Sequence, residues 1–122
     1  MGRNHRQLTV FQKADELAVL VYRLTAKFPP DERFELRSQI RRAAVSTPTN
    51  IVEGCARDGR RDYARFLDIA SGSANEVSYL LDLSARLGVL DPREFEDCAI
   101  RAEAVVKMLQ KLITAVRRLP DA

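Results

Sequence analysis

Gln39-Ile-Arg-Arg-Ala-Ala-Val-Ser-Thr-Pro-Thr-Asn-Ile-Val-Glu-Gly54 is the stretch whose reading decides the fold. At 100° per residue Leu36, Ile40, Ala43, Thr47 and Ile51 fall on one side, which makes the region from about Asp31 to Arg57 an amphipathic helix. A second apolar group, Phe34, Val45 and Val52, lies on another side of it. Glu35, Gln39, Arg42, Ser46, Glu53 and Arg57 form a polar stripe. Pro48 lacks an amide hydrogen, so it bends the helix or divides it in two. Ser46, Asn50 and Glu53 are placed to satisfy the main-chain groups it leaves unpaired.

Outward from this segment the pattern stays helical. Val10, Ala14, Leu17, Val21, Leu24 and Phe28 recur at spacings of four and three, predicting a first helix from about Val10 to Lys27 with Thr9 and Gln12 as a capping box. Pro29-Pro30 stops it, and Asp31-Glu32 place negative charge in the first turn of the helix that follows. A third helix is predicted from about Asp62 to Leu87. Its small-residue centre, Ala70-Ser-Gly-Ser-Ala74, suggests that Gly72 admits a neighbouring helix near Ala43-Ala44. Gly88 supplies a left-handed end. Asp91-Pro92-Arg93-Glu94 opens a fourth helix that runs to Leu119 and stops at Pro120.

Four long helices with short connections predict an all-α protein: an antiparallel up-down-up-down four-helix bundle with a proline kink in the second helix. The 122 residues fit a single domain, its core about residues 9–119, with short disordered ends. With 46% hydrophobic and 30% charged residues the composition is that of a soluble globular chain. No apolar run approaches the ~20 residues of a membrane span, and no signal peptide is visible, so a cytoplasmic protein is expected. Cys55 and Cys98 lack the spacing of a zinc site or redox pair and read as reduced, partly buried thiols.

Enzymatic activity is not expected, nor any cofactor or metal. His5 is the only histidine and falls in the N-terminal tail, leaving Cys55 without a base and the helices without a Glu-x-x-His metal pattern. Glu53 and Glu76 are the only carboxylates with a case for acid/base or metal chemistry. Pairing with arginine, or capping near Pro48, is the plainer role for them.

Charge points elsewhere. The net charge is only +3, but residues 33–65 hold eight arginines against four acidic residues, whereas residues 66–122 hold seven basic against nine acidic. Arg37, Arg41 and Arg42 lie within two turns of the second helix. Arg57, Arg60, Arg61 and Arg65 surround the following connection. Guanidinium forks suit phosphate, so these seven are candidate nucleic-acid contacts. The alternative is that they serve only ion pairs with Glu35, Glu53, Asp58 and Asp62. Tyr63 and Phe66 fall in the helix seam, which leaves backbone or shape recognition rather than base reading. Phe34, Val45 and Val52 form a candidate oligomer interface, the alternative being that one bundle buries more of this helix's circumference.

Val21-Tyr22, Phe28-Pro29, Leu36, Gln39, Arg41 to Ser46, Pro48, Asn50-Ile51 and Glu53-Gly54 resemble the proteins encoded in intervening sequences of bacterial large-subunit ribosomal RNA genes. The likeness continues through Phe66-Leu67, Ile69-Ala70, Gly72-Ser73 and Glu76, and covers about residues 8–90. Phe11, Glu35, Thr49 and Val52 stand where that family often has Trp, Gly, Ser and Ala. The superfamily includes the accessory variability determinant protein of diversity-generating retroelements. The resemblance implies a four-helix protomer commonly assembled as a homopentamer. In the retroelement members it implies a basic barrel that binds nucleic acid and a partner reverse transcriptase. Arg41 and Arg42 match the family motif, whereas Arg57, Arg60, Arg61 and Arg65 lie in a connection that varies within the family and are candidates by position only.

Overall fold

The computed structural model describes residues 3–31 and 35–120. Four helices account for most of them: α1 (Thr9–Thr25), α2 (Leu36–Cys55), α3 (Arg60–Arg86) and α4 (Pro92–Arg118). A short 3₁₀ turn, His5–Gln7, precedes α1. Each helix packs against its neighbours around a square, with α1 also meeting α4. Among the described residues the diagonal pairs stay apart. Cross-helix contacts fix alternating directions: Arg41 on Thr25, Ser46 on Ser73, and Lys27 on Glu94. This is the up-down-up-down bundle expected from periodicity.

The interior is lined by alanines. Ala14, Ala43, Ala44, Ala70, Ala74 and Ala102 are almost wholly excluded from solvent, interleaved with Leu17, Ile40, Ile51, Leu67, Leu81, Val105 and Leu109. Small residues at the seams bring helix axes together, and the larger aliphatic chains fill the layers between them. The buried hydroxyls of Thr25, Thr47 and Ser84 each donate to the carbonyl four residues earlier, so their burial leaves no donor unmade.

α2 runs unbroken through the buried Pro48, which settles the alternative of a helix divided in two. Around the carbonyl that Pro48 leaves without its usual donor, side chains return to the main chain. Thr47 Oγ1 donates to Ala43 O at 3.0 Å, Thr49 Oγ1 to Val45 O at 2.7 Å, and Asn50 Nδ2 to Ser46 O at 2.8 Å. Ser46 Oγ meets Ser73 Oγ on α3 at 2.8 Å. The bonds to main chain go to the carbonyls on either side of Ala44 O, the one Pro48 leaves without its helical donor, so the expected roles are not met: Asn50 returns to Ser46, Ser46 faces α3, and Glu53 turns to Arg57.

Several local expectations are corrected. Gly72 does not admit a helix: a Cβ there would meet nothing within 4 Å. Two residues along a helix is 200°, so Gly72 faces away from the seam that Ala70 and Ala74 line. Gly54 has that role, since its Cβ would lie 3.0 Å from Phe66 Cβ and 3.3 Å from Tyr63 O. No capping box forms at Thr9; Leu8 is the cap residue, and Gln12 Nε2 donates to Arg6 O at 2.9 Å. α2 starts at Leu36, so Asp31 lies in the preceding turn rather than in its first turn. Residues Arg3 to Gln7 are not a loose tail, because Arg3 N–H donates to Cys55 O at 2.8 Å and His5 packs edge-on against Phe11.

On α2, Val45 is 41% exposed, and Val52 is half-buried on the same flank. Phe34, the third member of the expected interface, lies outside the described residues.

Candidate nucleic-acid interface

Alternating helix direction gathers at one end of the bundle the start of α1, the end of α2, the start of α3 and the end of α4. That end collects arginines from three separate parts of the sequence. Arg57, Arg60, Arg61 and Arg65 flank the α2–α3 connection, Arg3 and Arg6 come from the N-terminal segment, and Arg117 and Arg118 close α4. The nearby carboxylates are Glu53, Asp58, Asp62 and Asp68. Arg3, Arg6, Arg117 and Arg118 escaped the sequence reading because nothing in local spacing relates them to residues 57–65. Only the predicted helix order could have found them.

Gly54 sets the geometry. With no side chain there, α2 and α3 approach closely enough for Phe66 to lie beneath the end of α2. The guanidinium carbon of Arg57 is 4.7 Å from the Phe66 ring centroid and that of Arg65 is 4.4 Å away. Each is also tethered by a carboxylate, Arg57 to Glu53 and Arg65 to Asp62, both at 3.4 Å. Aromatic contact and an exposed ion pair together restrict these side chains without desolvating them.

The other arginines are fastened through main chain. Arg3 Nη1 donates to Arg57 O at 2.8 Å while its guanidinium lies 3.9 Å from the Tyr63 centroid. Arg60 Nη1 donates to Arg117 O at 3.3 Å, joining the start of α3 to the end of α4. Arg117 pairs with Asp68. Arg6, Arg61 and Arg118 are exposed. No side chain caps the start of α3, so its first-turn amides add partial positive charge here.

Tyr63 and Cys55 lie beneath this layer, both buried. Burial pushes the Cys55 thiol up and Tyr63 to about 12. Cys98, in the core on α4, is pushed by burial to about 12. Both cysteines are free and fully buried rather than partly so.

The remaining candidates are not part of this end. Arg37 and Arg42 lie in the first two turns of α2, about 30 Å and about 22 Å along the helix direction from Arg57 at 1.5 Å per residue. Arg41 is built into the fold: Nε donates to Thr25 Oγ1 at 2.8 Å, Nη2 donates to Tyr22 O at 3.0 Å, and the guanidinium covers the Tyr22 ring at 4.4 Å. Glu53 and Glu76 are both exposed and do not converge. Gly54 packs on Phe66, which places Glu76 ten residues, or about 15 Å, farther along α3. Among the described residues no group of three potential metal ligands occurs.

Comparison with known proteins agrees with the architecture. The crystal structure of a protein of unknown function from the S23 ribosomal protein family of Bacteroides thetaiotaomicron superposes with a TM-score of 0.81 at 28% identity. The likeness covers 86% of this chain and 98% of that one. No curated protein matches the sequence. The model for the 23S rRNA-intervening sequence proteins matches residues 6–111, which takes in all of α1, α2 and α3 and most of α4. A match over that much of the chain, with the shared bundle, shows that this protein belongs to the 23S rRNA-intervening sequence protein family.

Proposed function

We propose that this protein is a non-enzymatic, oligomeric four-helix bundle of the cytoplasm that binds the phosphate backbone of RNA or DNA through the arginines at its α2–α3 end. The observation that carries the reading is the convergence of Arg3, Arg6, Arg57, Arg60, Arg61, Arg65, Arg117 and Arg118 on one end of a chain whose net charge is only +3. Phosphate contacts by arginine position a nucleic acid without reading its bases. The aromatic rings at this end lie under guanidinium groups, which fits backbone contact better than base stacking. The family name makes structured ribosomal RNA the first ligand to try. Oligomers, of five copies by the resemblance, multiply the basic ends. A reverse transcriptase is the kind of protein partner the retroelement resemblance suggests.

Fluorescence anisotropy with structured RNA and duplex DNA across a salt series tests this. Affinity should fall linearly on a log–log plot, with a slope of about 0.9 per phosphate contact on duplex DNA. Arg57→Ala/Arg60→Ala/Arg61→Ala should flatten the slope, and so should Arg118→Ala, while Arg37→Ala/Arg42→Ala leaves it unchanged. Absence of binding at low salt, or a slope indifferent to the triple substitution, would count against the proposal.

A second reading rests on the pairs Arg57–Glu53, Arg65–Asp62 and Arg117–Asp68. In it the arginines serve a structural or protein-interaction module with no nucleic-acid affinity. It expects oligomers in light scattering and no binding in the same titration.

A further inference from the structure

The N-terminal segment joins the basic end by few contacts, and its charge opposes its own docking. Arg3 supplies one main-chain bond to Cys55 O and one guanidinium bond to Arg57 O, both 2.8 Å, and lies on the Tyr63 ring. The segment's own conformation is set by neutral groups. Asn4 Oδ1 accepts from Arg6 N–H at 3.1 Å, His5 packs on Phe11 with ring centroids 4.7 Å apart, and Gln12 Nε2 donates to Arg6 O at 2.9 Å. No residue of the 3₁₀ turn is buried. Docking nonetheless lays the Arg3 guanidinium on Tyr63, one helical turn from Phe66, on which Arg57 and Arg65 lie, so like charges are gathered on one stretch of α3. Beneath the docked segment sit Tyr63 and Cys55, the latter only 1% exposed.

We propose that residues 3–8 form an anion-tightened latch: phosphate groups spanning Arg3 and the Arg57 and Arg65 guanidinium groups on Phe66 hold it shut, and its release both weakens that site and uncovers Cys55. The proposal rests on the nucleic-acid reading above for the identity of the anion. The physical logic is linkage. If a polyanion binds the docked form better than the released one, docking and binding must favour each other by the same factor. A segment held by a handful of exposed contacts is the kind that opens locally while the core stays folded.

The experiment follows alkylation of the full chain by iodoacetamide, an uncharged reagent, with the modified cysteines resolved by mass spectrometry. Cys98, wholly buried in the core, reports global unfolding. The variant Asn4→Ala/His5→Ala/Gln12→Ala removes the neutral holds and keeps every arginine. Arg3→Ala is the second variant. In both, Cys55 should react faster than in the wild type by about tenfold or more, with Cys98 unchanged. A 20-base-pair RNA duplex at low salt should slow Cys55 alkylation in the wild type but not in the triple variant, and should bind the triple variant more weakly. Equal Cys55 rates in wild type and both variants would overturn the latch. So would wild-type RNA affinity in the triple variant, or RNA binding that leaves Cys55 unprotected. If the wild type binds no RNA, the nucleic-acid reading falls separately and salt alone judges the latch. Screening the repulsion should then slow Cys55 alkylation, and a flat or rising rate overturns it.

Discussion

Arg41 Nε donates to the buried hydroxyl of Thr25 at 2.8 Å, and through this bond a family-motif arginine becomes a strut between α2 and α1. Thr25 Oγ1 donates in turn to Val21 O at 2.7 Å, and Arg41 Nη2 donates to Tyr22 O, so the guanidinium closes a small network over the end of α1. Arg41→Ala should lower stability by about 2 kcal/mol, the range for losing charge-assisted bonds to partly buried acceptors. Arg41→Lys should recover only part of that, because one ammonium cannot reproduce the fork. Urea unfolding with an unchanged m-value would register both, and the salt dependence of any nucleic-acid binding should stay as in the wild type.

The two helical glycines should respond with opposite signs. Gly54→Ala places a Cβ 3.0 Å from Phe66 Cβ and 3.3 Å from the Tyr63 carbonyl oxygen, neither of which can swing aside. A cost of about 1–3 kcal/mol follows from overpacking. Gly72→Ala enters open space on a helix with negative φ, so it should stabilise by roughly 0.5–1 kcal/mol through helix propensity alone. Thermal melts of the pair would show one Tm falling and the other rising.

Stability should fall in alkali. Burial raises Cys98 from 9.0 to about 12 and Tyr63 from 10.0 to about 12, and raises Cys55 as well. All three groups are neutral when protonated. Above pH 9 the unfolded chain therefore releases protons that the folded chain retains, and the equilibrium moves toward unfolding. The stabilisation is fully present below pH 9 and is lost as pH rises toward 12. The urea midpoint should be insensitive to these groups from about pH 6 to 8 and should decline above 9.

Assembly is testable through Val45, which is 41% exposed on the flank of α2 that also carries Val52. In the proposed oligomer this flank is covered by another copy. Val45→Glu puts a charge there without touching the core and should shift light scattering to a 13.8 kDa particle. A wild type already at that mass would remove the oligomer from the proposal.

The bundle was legible in sequence because burial repeats with helical period. Val10, Ala14, Leu17, Val21 and Leu24 are buried as their spacing requires, and the Asp91-Pro92 start and the positive φ of Gly88 follow from single-residue chemistry. Gly72 was misplaced because composition says that a residue is small, whereas helix phase says which way it faces. Half of the basic end was legible too, since Arg57, Arg60, Arg61 and Arg65 are neighbours in sequence. Arg37 and Arg42 belong to a separate cluster in the sequence as well, and the helix rise carries them to the other half of the molecule.

The sequence by itself determined the four helices, their order and the family, because propensity, capping and periodicity are local properties that a chain carries before it folds. Only the tertiary structure decided which arginines stand together. Antiparallel packing brings Arg3 and Arg118 to the residues around Arg60, and makes Arg41 a strut rather than a surface contact. Distances between side chains on different helices depend on how helices pack, and no local pattern encodes them.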